Sequence, residues 1–440
     1  MKSDRRVPVA IVGGGFSGTI LAAQLARRGI ASVLIDGSGR AGHGVAYSTT
    51  DAAHLLNVRA EGMSAFADDP NHFAERFEAV GGDRTGFAER RFFGTYLKGI
   101  LSDAVASDRV EVEHSAATGA RHEGDSWTVA LAGGGEIRAD ALVLANGNQE
   151  PDRMRAFAEA GSRYINNPWG ADARAAVADL VQRGGSALLI GTGLTMVDLA
   201  LSLDAAGYRG RAVALSRRGQ VPRAHAEVAP APVAFEDVPT RLRALLRWLR
   251  DRSAEVGWRT AVDSLRPHSH AIWQSLDGAE QRRFVRHARA WWDVHRHRIA
   301  PQVAQTIASM IAGHRLEVVA GRVLGARAEA DGIEVSFRRR GRAETSNERF
   351  DYVFNCTGPL GAIARTGDSL LRGLLEEGLA RPDDLGMGIA VDERSRVTDA
   401  PALWALGPLT KGRFWEIVAV PDIRGQAATV ADDIAKELGR

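Results

Sequence analysis

The stretch Val9-Ala10-Ile11-Val12-Gly13-Gly14-Gly15-Phe16-Ser17-Gly18 decides the reading of this chain. Four apolar residues read as a buried strand, and the glycines that follow, spaced G-x-G-x-x-G, open a helical pattern. Gly13 permits a tight turn out of the strand, Gly15 lets the backbone approach a pyrophosphate, and Gly18 lets the helix lie close to the strand. The start of that helix, at Phe16 and Ser17, offers free N–H groups and a positive dipole end to phosphates. The helix runs to about Arg28 and stops at Gly29, and a second strand, Ala31–Ile35, delivers Asp36. An acid at that offset accepts hydrogen bonds from a ribose 2′-hydroxyl. Strand, turn, helix, strand and acid together read as a dinucleotide site.

The fingerprint returns as Gly191-Thr192-Gly193-Leu194-Thr195-Met196, after the apolar run Ala187-Leu188-Leu189-Ile190. Met196 holds the third glycine position, so this helix is expected to stand further from its strand. The next strand, about Arg211 to Leu215, ends in Ser216-Arg217-Arg218-Gly219, with no acid at its tip. A serine and two arginines there suit a 2′-phosphate, hence NADPH. The competing reading of Arg217 and Arg218 is a solvated basic turn. Gly191, Thr192, Gly193, Thr195, Ser216, Arg217 and Arg218 are the expected NADPH contacts. Two such sites in one chain suggest a relay, one cofactor reducing the other.

The chain has 440 residues, 45% hydrophobic and 25% charged, with a net charge of +2. That supports two or three domains with substantial cores, and the charge demands neither nucleic acid nor an anionic membrane. No run approaches the ~20 apolar residues of a spanning helix. Met1–Arg6 leads straight into the first strand with no room for a signal peptide, so a cytoplasmic location is expected. Cys356 is the only cysteine, which excludes an intramolecular disulfide and a CxxC redox pair.

The expected fold is α/β, with two Rossmann-like dinucleotide-binding domains, one for FAD and one for NADPH, and a helical insertion. The expected limits are 1–170 and 350–440 for the FAD domain, 171–237 and 315–349 for the NADPH domain, and 238–314 for the insertion. Val110–Glu113 and Trp127–Leu131 read as a small antiparallel layer. Ala141–Gly147 and Tyr352–Gly358 are two echoes of one element, an apolar strand ending in glycine, and Gly147 and Gly358 are expected near FAD. Near the C-terminus a strand at Ala402–Gly407 precedes a helix from about Asp422 to Glu437. The dipole of such a helix would stabilise a reduced flavin, which brings Gly407 and Asp422 into the FAD set. The bland alternative is a terminal packing helix.

With Gly44-Val45-Ala46-Tyr47, His54-Leu55-Leu56-Asn57-Val58, Met63-Ser64, Asn167-Pro168-Trp169-Gly170 and Trp291-Trp292-Asp293-Val294-His295-Arg296-His297-Arg298, the chain resembles a family. It is similar to bacterial FAD/NAD(P)-binding proteins with an HLLNV-type segment, related to flavin-dependent N-monooxygenases, including the nitrosuccinate-forming kind. The resemblance implies that NADPH reduces FAD and that a C4a-peroxyflavin then oxygenates a small nucleophile, for instance an amine. Familiar two-dinucleotide flavoproteins often place an aspartate after the last strand, where this chain has Gly407-Pro408.

Asn57, Ser64 and His54 are the candidates to face the flavin. Each is also readable as a structural residue. Trp415-Glu416 is read as flanking the isoalloxazine or as core. Arg282–Arg298 is read as a cationic cover for an anionic substrate or as a solvated face with Trp291 and Trp292 in the core. His295 and His297 stand two apart and would not share a helical face, so no metal is expected. A small-molecule substrate and dioxygen are the expected partners. The other readings are an NADPH-dependent reductase serving a quinone or protein acceptor, and a flavin-binding sensor without turnover.

Overall fold

The computed structural model describes residues 6–440. The first half of the chain forms β1 (Arg6–Val12), α1 (Phe16–Arg27), β2 (Ser32–Ile35), α2 (His72–Glu78), α3 (Arg90–Ala106), β3 (Val110–Glu113), β4 (Ala117–Glu123), β5 (Ser126–Leu131), β6 (Glu136–Leu144), β7 (Tyr164–Ile165), α4 (Ala171–Arg183), β8 (Ala187–Ile190), α5 (Leu194–Ala205) and β9 (Ala212–Ser216). There follow α6 (Leu242–Val256), α7 (Trp258–Leu265), α8 (Ser269–Ser275), α9 (Gly278–Arg283), α10 (Arg289–Arg296) and α11 (Pro301–Ala312). The chain closes with β10 (Leu316–Ala328), β11 (Ile333–Arg339), β12 (Ser346–Phe350), β13 (Tyr352–Asn355), α12 (Ser369–Glu376), β14 (Leu403–Ala405) and α13 (Val420–Glu437).

Two seven-stranded sheets organise these elements. The first runs β3-β2-β1-β6-β5-β4, with β14 also on β6, and the second runs β12-β11-β10-β9-β8-β13-β7. Within them the parallel blocks β3-β2-β1-β6 and β10-β9-β8-β13 are equivalent, each in the 3-2-1-4 order of a mononucleotide-binding unit. The architecture is therefore two Rossmann-like folds. The edge of β6 is shared: Glu136–Ala139 pairs antiparallel with β5, while Leu142–Leu144 pairs parallel with β14.

The sequence reading needs three corrections. Val110–Glu113 is not in an antiparallel layer; it joins β2 as a parallel strand of the first sheet. Alternation marks a half-buried strand but not its partner. β13 and β7 belong to the second sheet, so Tyr352–Gly358 accompanies the second fingerprint. Third, Trp291 is 46% exposed rather than in the core. In the helical region, α11 packs into the second core through Val303, Ile307 and Met310, apart from α6–α10.

The run from Phe16 to Leu25 is buried along its whole length, because α1 lies against the sheet with α3 and α13 beside it. Ile20, Leu21 and Leu25 have no exposed surface, and each contributes about 1.5–3 kcal/mol on burial. The two units are tied by a buried ion pair. Arg90, opening α3, donates to both oxygens of Asp198 in α5, at 2.8 and 2.9 Å.

Candidate dinucleotide sites

Both sites follow from the same backbone device. Gly13 N–H donates to Ile35 O at 2.9 Å, and Gly191 N–H to Leu215 O at 2.8 Å. A Cβ on Gly13 would lie 2.3 Å from the carbonyl oxygen of Ala145, and one on Gly191 would lie 2.1 Å from that of Cys356. Their φ angles, +108° and +118°, belong to glycine. Each glycine therefore turns the chain beneath the end of the fourth strand of its unit. Ala145 and Cys356 are equivalent residues, which makes the lone cysteine a packing residue; burial pushes its thiol well above the usual range.

In the first site a Cβ on Gly18 would stand 1.9 Å from Gly13 O, so this glycine sets the helix–strand distance. Asp36, buried at the end of β2, accepts from Gly14 N at 2.8 Å through Oδ2 and from Ser38 N and Oγ at 2.7 and 2.6 Å through Oδ1. The carboxylate thus braces the phosphate loop while Oδ2 keeps acceptor capacity for a ribose hydroxyl. The segment after β2 crosses the loop, with Gly42 N–H donating to Gly14 O at 2.9 Å. Gly407, just past β14, packs on Ser17: its Cβ would lie 2.5 Å from Ser17 Oγ. Gly147 follows β6 and lines a small cleft with Pro408 and Lys411. These predicted FAD residues share one region. Asp422 lies in the first turn of α13. Gly358, expected with them, follows β13 beside Gly191 instead.

In the second site Ser216 occupies the place of Asp36. Its hydroxyl bonds Thr192 Oγ1 at 2.8 Å and accepts from Gly219 N at 3.0 Å, the same two tasks the carboxylate performs in the first unit. The brace is kept and the negative charge is gone. Nothing lies within 4 Å of a Cβ built on Gly193, so that face of the loop is open to a phosphate. Among the described residues, the Thr195 side chain has no hydrogen bond, and the exposed Arg217 side chain has no hydrogen-bond or ion-pair partner. Arg218 donates to His287 O at 3.2 Å and lies 5.6 Å over the Trp291 ring. Met196 is fully buried at the third glycine position.

The three residues proposed to face the flavin separate on inspection. His54 is buried between Thr49 Oγ1 at 2.9 Å and, through Nε2, Asp198 O and Ser202 Oγ, both at 3.0 Å. It is a strut between the loop and α5. The Ser64 hydroxyl serves its own turn, bonded to Phe66 O at 3.1 Å and to Asp69 O at 2.5 Å. Asn57 is half-buried and its side-chain amide makes no hydrogen bond among the described residues, while its backbone carbonyl accepts from His225 Nε2 at 3.0 Å. Burial lowers His225 to about 4, which keeps the ring neutral in that contact.

Sequence reasoning passed over Lys411 and left the segment Trp415-Glu416 with two readings. Lys411 lines the cleft with Gly147, its side chain without a hydrogen bond or ion pair among the described residues, and burial lowers its ammonium to about 8. Glu416 is buried at φ +71°, accepting from Trp292 Nε1 at 2.6 Å and Arg296 Nε at 2.9 Å. Trp415 stacks on Trp273, with ring centres 4.6 Å apart. The segment 415–416 therefore bolts the C-terminal part of the chain to the helical region. The arginine-rich segment Arg282–Arg298 carries a sequence signal, but these contacts depend on partners more than a hundred residues away.

Comparison with known proteins agrees with this architecture. A family model described as FAD-NAD(P)-binding matches residues 10–149. No curated protein matches the sequence. Among solved structures, the fold is similar to L-lysine 6-monooxygenase from Pseudomonas syringae, at 17% identity and TM-score 0.68 over 98% of this chain and 99% of that one. It is similar to ornithine N-hydroxylase from Kutzneria sp. 744 with reduced FAD, NADP+ and L-ornithine, at 19% identity and TM-score 0.65 over 98% and 100%. It is also similar to a bacillithiol disulfide reductase from Staphylococcus aureus, at 11% identity and TM-score 0.59 over 98% and 99%. At these identities the likeness is one of fold.

Proposed function

We propose that this chain is an NADPH-dependent, FAD-containing monooxygenase acting on a small nucleophilic substrate such as an amine. The observation that carries the proposal is the divergence of two equivalent sites: Asp36 in one, Ser216 followed by Arg217 in the other. A carboxylate suits a free ribose hydroxyl, and an uncharged brace beside arginines suits a 2′-phosphate. The cradles fit such cofactors, since the open face of Gly193 admits a phosphate that a side chain would displace. The single buried cysteine leaves no dithiol for disulfide reduction, which favours the monooxygenase side of the similar folds.

FAD would supply hydride acceptance and oxygen activation. The first phosphate loop and Asp36 would anchor the adenosine half, and Gly407 packed on Ser17 would set how closely the C-terminal segment approaches it. The start of α13 presents peptide groups whose dipoles put their positive end outward, with Pro421 in its first turn, where a missing N–H costs little. Those groups would favour negative charge on a reduced flavin ring. The unpartnered Asn57 amide would orient a polar atom of the cofactor or substrate, held in place by His225 on its carbonyl.

The test is stoichiometric. Flavin-loaded protein is supplied with NADPH in air and a panel of amines, and NADPH, oxygen and released peroxide are counted. A substrate amine should lower peroxide well below the NADPH consumed and yield an oxygenated product. Peroxide equal to NADPH with every amine, together with faster turnover on a quinone, would support the reductase reading instead.

A further inference from the structure

The helical region carries a concave basic site that the cofactor and substrate assignments above do not use. Between α9 and α10 the chain makes a single π-helical turn, Phe284–Ala288. Such turns are rare and are often found at functional sites. Arg282 and Arg286, and Arg283 and His287, stand four residues apart as neighbouring pairs, and both pairs border one concavity. They line an open concavity of about 500 Å³ that Leu385 also borders. That volume lies in the range of small-ligand sites.

The charge balance of this pocket is one-sided. Arg282, Arg283 and Arg286 are exposed and make no hydrogen bond or ion pair among the described residues. Asp277 and Glu280, the acids flanking the start of α9, are used elsewhere, and Asp384 stands exposed beside the bordering Leu385. Asp277 caps α9 through Ala279 N and Glu280 N, both at 2.9 Å, and Glu280 receives Leu242 N at 3.1 Å and Arg241 at 3.2 Å. Like charges four apart on a helix repel one another. An anion in the cavity would relieve that repulsion.

The pocket adjoins the second dinucleotide site through a direct contact. Arg218, at the tip of β9, donates to the carbonyl of His287, a lining residue, and lies over Trp291 in the next turn. Arg217 and Arg218 follow Ser216 at the end of β9, and Arg218 reaches the His287 carbonyl on the wall that carries Arg282, Arg283 and Arg286.

We propose that Arg282, Arg283 and Arg286 form the outer wall of a phosphate clamp for the 2′-phosphoadenosine end of NADPH, completing the inner wall made by Arg217 and Arg218. This rests on the NADPH assignment of the second site. The helical region then sets nucleotide preference as well as packing against the C-terminal segment. Guanidinium groups from two elements can hold a phosphate from two sides with bidentate hydrogen bonds.

Equilibrium binding tests it without turnover. Flavin-loaded wild type and the Arg282→Ala/Arg286→Ala variant are titrated with NADP+, NAD+ and 2′-AMP by calorimetry, with thermal unfolding to check the fold. The variant should bind NADP+ and 2′-AMP at least tenfold more weakly and NAD+ unchanged, and Arg282→Lys/Arg286→Lys should recover part of the loss. Unchanged NADP+ and 2′-AMP binding, or equal losses for NADP+ and NAD+, would overturn the clamp while leaving the NADPH site standing. A wild type that binds NAD+ as tightly as NADP+ and ignores 2′-AMP would overturn the NADPH assignment and the clamp with it. Nucleotide binding intact alongside a raised KM for the amine would assign the pocket to substrate and overturn the clamp.

Discussion

Replacing Arg90 by methionine tests how firmly the two dinucleotide units are joined. The guanidinium is 13% exposed and the Asp198 carboxylate 7%, and they share two hydrogen bonds at 2.8 and 2.9 Å. Arg90 Nε also donates to Leu55 O at 3.0 Å. Methionine keeps the apolar volume and abandons a buried carboxylate, and removing one partner of such a pair costs about 3–5 kcal/mol. A ceiling comes from protonation: neutralising an ordinary carboxylate at pH 7 costs about 4 kcal/mol. The expected loss for Arg90→Met is therefore about 3–4 kcal/mol at pH 7, and smaller at pH 5, where the proton is easier to add. The double variant Arg90→Met/Asp198→Leu replaces the pair by apolar groups and should recover to within about 1 kcal/mol of wild type. Urea unfolding followed by tryptophan fluorescence at both pH values measures all four corners of the cycle. A single-variant cost under about 1 kcal/mol, or a double variant as unstable as the sum of its singles, would refute the reasoning.

Ser216→Asp rebuilds the first site's acid in the second, and like charges facing one another cost several kcal/mol; the ratio of kcat/KM for NADPH over NADH should fall by about a hundredfold or more, read by steady-state kinetics. Gly13→Ala forces a Cβ to 2.3 Å from Ala145 O at φ +108°, and should yield protein with little bound flavin by its visible spectrum, whereas Gly193→Ala, with open space around it, should fold and bind flavin normally but take NADPH more weakly. His225 is held neutral, down to about 4, while its unfolded counterpart titrates near ~6.5. Across that window the unfolded chain binds the extra proton, so His225 contributes a loss of stability as pH falls from ~6.5 toward 4, and His225→Gln should flatten that part of a pH–stability profile measured by thermal unfolding.

The phosphate loops were legible in the sequence because their requirements are local. A glycine that must pass beneath a carbonyl, a helix that starts two residues on and a residue at the next strand's tip are all set by chain spacing. Pairing is not local, so the alternation of Val110–Glu113, which is that of any half-buried strand, does not name β2 as its parallel partner. Gly358 was placed with FAD by its likeness to Gly147, and the likeness is real, but it is a likeness between equivalent positions in two units. His54 and Ser64 have polar groups among apolar neighbours, as a ligand contact would. Their partners, Asp198 and Ser202 for one and a neighbouring turn for the other, are visible only in the fold. Lys411 has no sequence signal at all, since nothing in its neighbours marks the cleft that lowers its charge.

The helical region joins both halves of the chemistry. On one side His287 O receives Arg218 from the tip of β9. On the other, Trp292 and Arg296 grip Glu416, a buried carboxylate held at φ +71°. A non-glycine residue in that conformation costs about 1–3 kcal/mol and persists only where its surroundings hold it. Here the surroundings are two hydrogen bonds at 2.6 and 2.9 Å from α10, one of them to a cation. The strain at Glu416 is thus offset by the same helix whose preceding turn faces the second site. α13 begins only four residues after Glu416, at Val420, so the placement of α10 and of the helix start offered to the flavin are linked. A nucleotide that engages the arginines before α10 therefore acts on a segment already coupled to the flavin side, and the two cofactors would meet through the insertion as well as through the pair Arg90–Asp198.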